Sequence, residues 1–594
     1  MNNYSVRAET TKNGVPTRGE IPKEVDKELI KYSEILRKLL YYRGIKTEKD
    51  ANIFLNPDYL ENNDPFLMKG MDIAVERIFK AIDNNQKIVI YSDYDADGIP
   101  GAVILHDFFK KIGYDNFTNY IPHRVLEGFG LNDEAIETFT KEKVDLIITI
   151  DCGIADVEEA KKIKKNKIDL IVTDHHLPNI NTKDNEELPF SVAILDSKQK
   201  DCKYPDKNLC GAGVTFKLVQ ALISKLLTFN FKNFKTQTMV IGWEKWLLDM
   251  VAIATVSDMV PLVGENRLFA YYGLKVLRKS PRLGLQRLLS LVKINQKSIT
   301  EDDIGFMISP RINAASRMGI PEDAFNLLTA KDENEASKYA IHLNKINDER
   351  KWIVAVMVKE IRKHWKEFDP EKKRKVLVAG NPDWKPSLLG LVANSLMDEH
   401  DGPVFLWGRE EGKILKGSCR SPGCVDITEM MRESGDLLLE YGGHSASGGF
   451  SISLEKVDQL CDGLECVYQK LEIKENKDKE IIADASISID DVNNNFEREI
   501  NKLAPFGMTN PKPIFAFNNI EIFDTKIFGK KNEHLKIDFL NKKGQKISAI
   551  GFFIKKENFD TKIEKGEKIN LLANIEKSFF AGREELRLRI VDIL

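Results

Sequence analysis

Three carboxylates, Asp93, Asp95 and Asp97, stand two apart directly after a short apolar run, Ile88-Val-Ile-Tyr-Ser92. Acidic side chains so placed repel one another, and a bound divalent cation offsets the repulsion. Two later apolar runs end in the same way. Residues 144–150 lead into Asp151-Cys152-Gly153, and residues 168–173 lead into Asp174-His175-His176. Asp258 adds a further carboxylate inside the apolar stretch 251–263, where burial demands a partner. Oxygen donors with one or two imidazoles suit Mn²⁺ best and Mg²⁺ next; zinc prefers more nitrogen or sulfur, and calcium rarely takes histidine. The set Asp95, Asp97, Asp151, His175 and Asp258, with Asp93, Asp174 and His176 beside it, exceeds what one ion needs. Two ions about 3.5–4 Å apart fit better, and such a pair suits hydrolysis of a phosphodiester. His176 is then placed to touch the phosphate or protonate the leaving oxygen.

For these side chains to meet, the elements that carry them must share a rim. Strands alternate with helices here, at about 99–112 and 155–165, and a further strand at 191–195 ends at Asp196. That alternation predicts a doubly wound parallel sheet, whose ligands bind at the carboxyl ends of the strands. Gly211-Ala-Gly213 opens a helix near 214–227, and 243–263 reads as apolar and helical. Residues 273–367 read as mostly helical. They include Ser309-Pro-Arg-Ile-Asn-Ala-Ala-Ser-Arg-Met-Gly319, which brings Arg311 and Arg317 close together, and a long connecting helix near 333–366 with a solvated charged face. A second α/β region starts at Lys375. It carries Trp384, Gly417-Ser-Cys-Arg-Ser421 and Tyr441-Gly-Gly-His-Ser-Ala-Ser-Gly-Gly449, whose glycines let backbone approach a ligand closely. After a charged linker at 472–480, alternating runs at 520–527, 534–540, 546–553, 569–575 and 586–591 predict a small oligonucleotide-binding (OB) type barrel. At the other end, residues 1–20 read as a disordered leader, and 24–40, 47–54 and 72–84 as helices. The expected domains are an N-terminal helical region (1–85), the carboxylate-bearing α/β domain (86–270), a helical connector (271–370), the second α/β domain (371–475) and the β domain (481–594).

The bulk properties set limits. A chain of 594 residues is too long for one core. Its composition, 42% apolar and 30% charged, is that of a globular protein. No apolar run approaches the roughly 18 residues of a membrane span, and residues 1–20 have no signal-peptide core, so a cytoplasmic location is expected. The net charge of −3 excludes a uniformly basic nucleic-acid binder and confines any such surface to a local patch. Seven cysteines without zinc spacing suggest reduced thiols, and Cys152, beside the acidic cluster, is not read as a nucleophile.

Asp93-Tyr-Asp-Ala-Asp-Gly98, Asp151-Cys-Gly153, Asp174-His-His176 and Ser257-Asp-Met-Val-Pro-Leu262 resemble the four motifs of the DHH phosphoesterase superfamily, most nearly its RecJ family of single-stranded-DNA exonucleases. Gly442-Gly-His-Ser-Ala446 is similar to the signature of the associated DHHA1 domain, and Pro310-Arg-Ile-Asn-Ala-Ala315 to the family's connector. Pro505-Phe-Gly507 and His534-Leu-Lys536 resemble its C-terminal domain. The resemblance implies an α/β chain: a doubly wound parallel-sheet DHH domain, a long connecting helix, an α/β DHHA1 domain and a C-terminal OB-type β-barrel. It implies two Mn²⁺ ions held by Asp95, Asp97, Asp151, His175 and Asp258, Asp151 bridging, with Asp93 and His176 supporting the site or touching the scissile phosphate. Arg311, Asn313, Arg317, Ser418, Arg420, Gly443 and His444 would bind the substrate. The implied activity is 5′→3′ hydrolysis of single-stranded DNA to 5′ mononucleotides in repair and recombination, with a single-strand-binding protein or a helicase as partner. The alternatives are a phosphodiesterase for short oligonucleotides or cyclic dinucleotides, and a catalytically weak replication or repair scaffold. This chain departs from the family pattern at Ser92, Pro100, Asp196-Ser197, Ser316 and Trp384-Lys-Pro-Ser-Leu-Leu389, none of which removes an expected metal ligand.

Overall fold

The computed structural model describes residues 8–9, 17–181, 185–228, 240, 242–369, 371, 373–409, 414–471, 473, 481–529, 532–559, 561–580 and 583–594. They form two compact units, one from Asn63–Asp258 with Gly273–Lys479, the other from Met1–Asn62, Met259–Tyr272 and Glu480–Leu594.

The first unit holds a five-stranded sheet of β1 (Ile88–Ser92), β2 (Phe117–Tyr120), β3 (Leu146–Ile150), β4 (Asp169–Thr173) and β5 (Ala193–Leu195). Their order is β2-β1-β3-β4-β5 and every pair is parallel. All five residues of β1 and of β3 are buried, as expected where helices cover both faces and the sequence runs apolar without alternation. The strand order reverses between β1 and β3, and the crevice beyond the carboxyl ends at such a reversal is where a doubly wound sheet binds its ligand. β1 ends at Asp93, β3 at Asp151 and β4 at Asp174. The edge strand β2, Phe-Thr-Asn-Tyr, was not expected. It is short and half polar, so it lacks the apolar signature of a central strand.

The 36-residue helix Glu333–Phe368 leads from this region to a second sheet, and its start is capped by the Asp332 carboxylate, which accepts from the Asn334 and Glu335 N–H groups. That sheet orders Leu377–Gly380, Val404–Arg409, Ile414–Arg420, Ser447–Ser453 and Glu440–His444, with one parallel pair and three antiparallel pairs. Met357, Val358 and Ile361 of the long helix share a core with Leu377, Leu389 and Leu406, which ties the helix to the sheet.

In the second unit the C-terminal β domain orders Ala485–Ser486, Phe515–Glu521, Lys568–Phe580, Arg583–Ile593, Lys546–Phe552, His534–Leu540 and Asp524–Phe528. The single strand expected at 520–527 is instead two, because the chain breaks at Ile522 and Phe523. The N-terminal helices Glu34–Tyr41 and Glu48–Leu55 do not stand apart: Leu36, Leu39, Leu40 and Leu55 lie in one core with Leu535, Ile537 and Leu571 of the β domain.

Other expectations need correction. The helix expected over 24–40 is two, Lys23–Glu28 and Glu34–Tyr41, parted where Ser33 takes an extended backbone before the second. The apolar run 243–263 is helical only over Leu248–Ser257, after a 3₁₀ turn at Trp243–Leu247. Of the expected leader, 1–7 and 10–16 lie outside the described residues. Thr17–Arg18, however, forms a ladder with Ala8–Glu9, and the Arg18 N–H donates to the Ala483 carbonyl at 2.9 Å. The expected linker 472–480 also lies outside the described residues, save Ile473.

The shared core makes a test. Leu39→Ala should cost about 2–5 kcal/mol of the second unit's stability. Amide hydrogen exchange should then quicken in strand His534–Leu540 as well as in helix Glu34–Tyr41; a change confined to the helix would contradict one cooperative core.

Candidate metal centre

The centre is built from loops that three strands and a helix end hold in place. The Asp97 carboxylate accepts from two backbone donors at the start of helix Gly211–Thr228, Gly211 N–H at 2.6 Å and Ala212 N–H at 2.7 Å. A helix start is the natural seat for an anion. Asp95 Oδ1 accepts from the Asp97 and Gly98 N–H groups, which folds the loop onto itself. Asn313 Oδ1 accepts from the Ala96 N–H at 2.8 Å and pins the same loop from helix Ser309–Met318. Asp151 adopts a left-handed backbone, φ 63°, a strained conformation of the kind found at functional sites. Gly211 admits it. A Cβ on Gly211 would lie 2.5 Å from Asp151 Cβ and 2.6 Å from Asp151 Oδ1.

The side chains converge on His175. Its Nε2 lies 3.1 Å from Asp151 Oδ1, 3.7 Å from Asp97 Oδ2 and 3.8 Å from Asp258 Oδ2. Three sets of donor atoms lie within 4.8 Å of one another: Asp97, His175 and Asp258; Asp93, Asp95 and Asp151; and Asp151, His175 and His176. Burial first, and then the neighbouring carboxylates, push Asp93, Asp97 and Asp151 well above the ordinary carboxylate range. Asp258 is pushed to about 7 by burial and by Asp95, and it sits at the carboxyl end of helix Leu248–Ser257, the pole least favourable to an anion. Burial and the adjacent His176 hold His175 down near 3, so its imidazole is neutral. A neutral imidazole nitrogen among three carboxylates carries at most one proton for all of them.

These residues fit a divalent cation. Asp93 Oδ1 and Asp151 Oδ1 are buried without a hydrogen-bond partner among the described residues, although the chain supplies paired donors to Asp97 and Asp174 nearby. Buried polar groups are normally satisfied, and carboxylate oxygens left unpaired in one cluster are what a divalent cation would meet.

His176 is held differently. Its Nδ1 is 2.8 Å from Asp174 Oδ1, and that carboxylate also accepts from the His175, His176 and Ile154 N–H groups. Burial lowers the His176 pKa, but the Asp174 hydrogen bond and charge outweigh it and raise it to about 9. The two adjacent histidines therefore differ in state: His175 is neutral at pH 7 and His176 is cationic. Phe129, 51% exposed, stands edge-on to His176 with ring centres 5.6 Å apart. Arg124 lies over the Tyr94 ring at 4.8 Å. Neither is legible in the sequence, since each is a lone residue in an irregular loop.

The expected substrate residues lie at three places. Arg311 is buried and bound, its Nη1 donating to the Met307 carbonyl and its Nε and Nη2 to Asn344 Oδ1. Arg317 donates to the Ser387 carbonyl at 2.8 Å, and Ser387 Oγ donates back to the Arg317 carbonyl. Ser387, one of the departures at 384–389, thus adds a side-chain bond to the link between helix Ser309–Met318 and helix Pro386–His400. In the second sheet Arg420 Nη1 donates to Ser418 Oγ at 3.2 Å and to the Cys419 carbonyl at 2.8 Å. The edge strand Glu440–His444, beyond strand Ser447–Ser453, is exposed along its whole length, with Gly442 opposite Gly449 and Gly443 opposite Gly448. It presents bare backbone, and His444 is exposed at its end. Cys152 is buried and its thiol is pushed up by burial, which suits packing and not attack.

The DHH family N-terminal domain matches residues 87–255, the DHHA1 domain residues 373–470, and the RecJ OB domain residues 483–592. The chain is 34% identical over 567 residues to the single-stranded-DNA-specific exonuclease RecJ of Bacillus subtilis, across 95% of this chain and 68% of that one. It is 29% identical to the protein of the same name from Haemophilus influenzae, across 94% and 95% of the two chains. The crystal structure of RecJ in complex with Mn²⁺ from Thermus thermophilus superposes with a TM-score of 0.76 at 25% identity, covering 96% of this chain and 77% of that one.

The electrostatics give a signed prediction. Asp258, raised from 3.8 to about 7, binds more protons folded than unfolded between those values, so the metal-free protein loses stability as pH rises from about 4 to about 7. Added Mn²⁺ should abolish that slope, because it favours the ionised carboxylates, and its binding should release protons near pH 7. Melting temperature against pH, with and without Mn²⁺, checks the sign. Gly211→Ala should weaken Mn²⁺ binding by at least about tenfold, as expected when a ligand's support is disturbed; unaltered binding by calorimetry would contradict the close approach to Asp151.

Proposed function

Because the chain belongs to the RecJ family of single-stranded-DNA-specific exonucleases, we propose that it degrades single-stranded DNA from the 5′ end and releases 5′ mononucleotides. Two divalent ions, Mn²⁺ by preference and Mg²⁺ as substitute, would be held by Asp95, Asp97, Asp151, His175 and Asp258, with Asp93 in support. The observation that carries the reading is the convergence of Asp97, Asp151 and Asp258 on the neutral His175. When bound, the ions supply activation of water and neutralisation of charge building up at phosphorus.

The chain's own residues do the rest. His176, cationic and held by Asp174, contacts a phosphate oxygen and gives a proton to the leaving oxygen. Phe129 offers a ring face on which a terminal base stacks. Arg317, Arg420, Ser418 and His444 take phosphates. Arg311 does so with the Nη protons that Met307 and Asn344 leave unused. The glycines of strand Glu440–His444 let a sugar–phosphate backbone lie directly against the sheet edge. Asn313 acts through the loop it pins at Ala96. The C-terminal β domain adds a second surface for single strands. In the cell the substrate would come from a helicase or be shared with a single-strand-binding protein, in repair and recombination. The location proposed is the cytoplasm; no described helix is long and apolar enough to cross a membrane.

The test uses the full chain with Mn²⁺ and three substrates: 3′-labelled single-stranded DNA, its duplex and a dinucleotide. Shortening of the single strand from its 5′ end should be seen, with duplex spared. Asp151→Ala should lower the rate by more than about 100-fold, beyond the usual effect of disturbing a ligand's support. Shortening from the 3′ end, or equal attack on duplex, would refute the proposal.

A further inference from the structure

The long helix Glu333–Phe368 carries an unsatisfied polar turn that no expected role accounts for. Asn347 is 0% exposed, and neither its Oδ1 nor its Nδ2 has a hydrogen-bond partner among the described residues. One turn later Arg350 has a buried Nε that is likewise unpartnered. Residues three apart share a helix face, so the two groups are neighbours. The preceding turn presents Asn344, whose Oδ1 accepts from Arg311 Nε and Nη2 at 3.1 and 2.9 Å. Arg311 is thereby clamped to the same helix, within reach of the charge on Arg350.

A buried amide and a buried guanidinium N–H are costly to leave unpaired, and a native fold keeps such groups where something arrives to meet them. The charge says what arrives. Burial and the charge of Arg311 lower the Arg350 pKa, with no carboxylate opposing them, and burial, followed by the charges of Arg124 and Arg350, lowers Arg317. Asp348 opposes the charge on Arg311 and Asp95 that on Arg317, but no acid opposes Arg350, whose guanidinium is left to meet an anion. On this chain the anion is a backbone phosphate, since the charge on Arg317 senses both Arg350 and Asp95 of the metal centre. The planar fork of Arg350 suits a phosphate oxygen pair, and Asn347 Nδ2 adds a neutral donor beside it.

We propose that Asn347 and Arg350 form a phosphate subsite of the single-strand path, next to the Arg311 position and separate from the metal ligands. This rests on the exonuclease reading. It makes the long helix part of the substrate track as well as a spacer between the two sheets.

Binding of a 5′-phosphorylated single strand by the full chain, followed by fluorescence anisotropy in EDTA at several salt concentrations, tests it even where no hydrolysis occurs. Arg350→Gln should weaken affinity about tenfold. It should also flatten the slope of log affinity against log salt by about 0.7, the value for one phosphate contact on a single strand. Arg350→Lys should restore the slope, since it keeps the charge, while regaining only part of the affinity. Asn347→Ala should weaken binding without changing the slope. An Arg350→Gln protein with the wild-type slope overturns the inference, whether or not its melting temperature has fallen, because a structural arginine would not alter the number of ions released. The exonuclease reading fails on a different result, a wild-type chain that leaves single strands intact in Mn²⁺.

Discussion

Everything about the first unit depends on holding like charges together out of water. Asp93, Asp95, Asp97, Asp151 and Asp258 crowd one rim. Among the described residues none of them pairs with a lysine or arginine. Their mutual repulsion in a poorly solvated site is large, and the fold meets it with fixed dipoles: the N–H pair of Gly211 and Ala212 on Asp97, and the loop N–H groups on Asp95. These donors lessen the repulsion without cancelling it, since Asp97 remains pushed up despite both bonds. The residual charge is what a divalent cation would offset. A fully neutralised cluster would be more stable and would bind nothing.

The same constraint explains the local irregularities. The left-handed backbone of Asp151 and the absence of a side chain at Gly211 are needed to bring a strand end and a helix start within contact. Gly98 plays the corresponding part in the first loop, where a Cβ would lie 2.5 Å from the Asp93 carbonyl oxygen. Strain of this kind persists only where the surroundings over-determine it. Here the surroundings are two fully buried strands, β1 and β3, whose continuous apolar runs fix the heights at which the loops begin.

Around the acidic rim the charge changes sign. Arg124 and Arg350 both influence the ionisation of Arg317, which also senses Asp95. An acidic rim with guanidinium groups near it suits a substrate that is itself an anion and meets the protein through intervening cations. The two histidines divide the same way. His175, buried among carboxylates, is kept neutral and available as a ligand, while His176, tied to Asp174, keeps its proton. Adjacent positions in the chain thus hold different protonation states, because one faces the rim and the other faces a carboxylate that four donors already hold in place.

Sequence alone determined the centre's composition and the order of its parts. The β-branched runs at 88–90, 144–150 and 168–173 each ended in acid or histidine, and the parallel-sheet rule put those ends on one rim, because strand period and apolar content are local properties. Asp95, Asp97, Asp151 and His175 were legible in this way as members of the cluster, and Asp258 as a carboxylate in an apolar stretch. Tertiary structure decided what depended on distant backbone. The Gly211 helix start that seats Asp97, the Asn313 link to Ala96 and the Ser387 link to Arg317 each join positions 70 or more residues apart. The polar edge strand Phe117–Tyr120, the N-terminal helices sharing a core with the C-terminal β domain, and the facing of Phe129 on His176 left no periodic mark. A hydrophobic period records which face of an element is buried. It does not record against what, and the partners of a single side chain are set only when the chain has closed on itself.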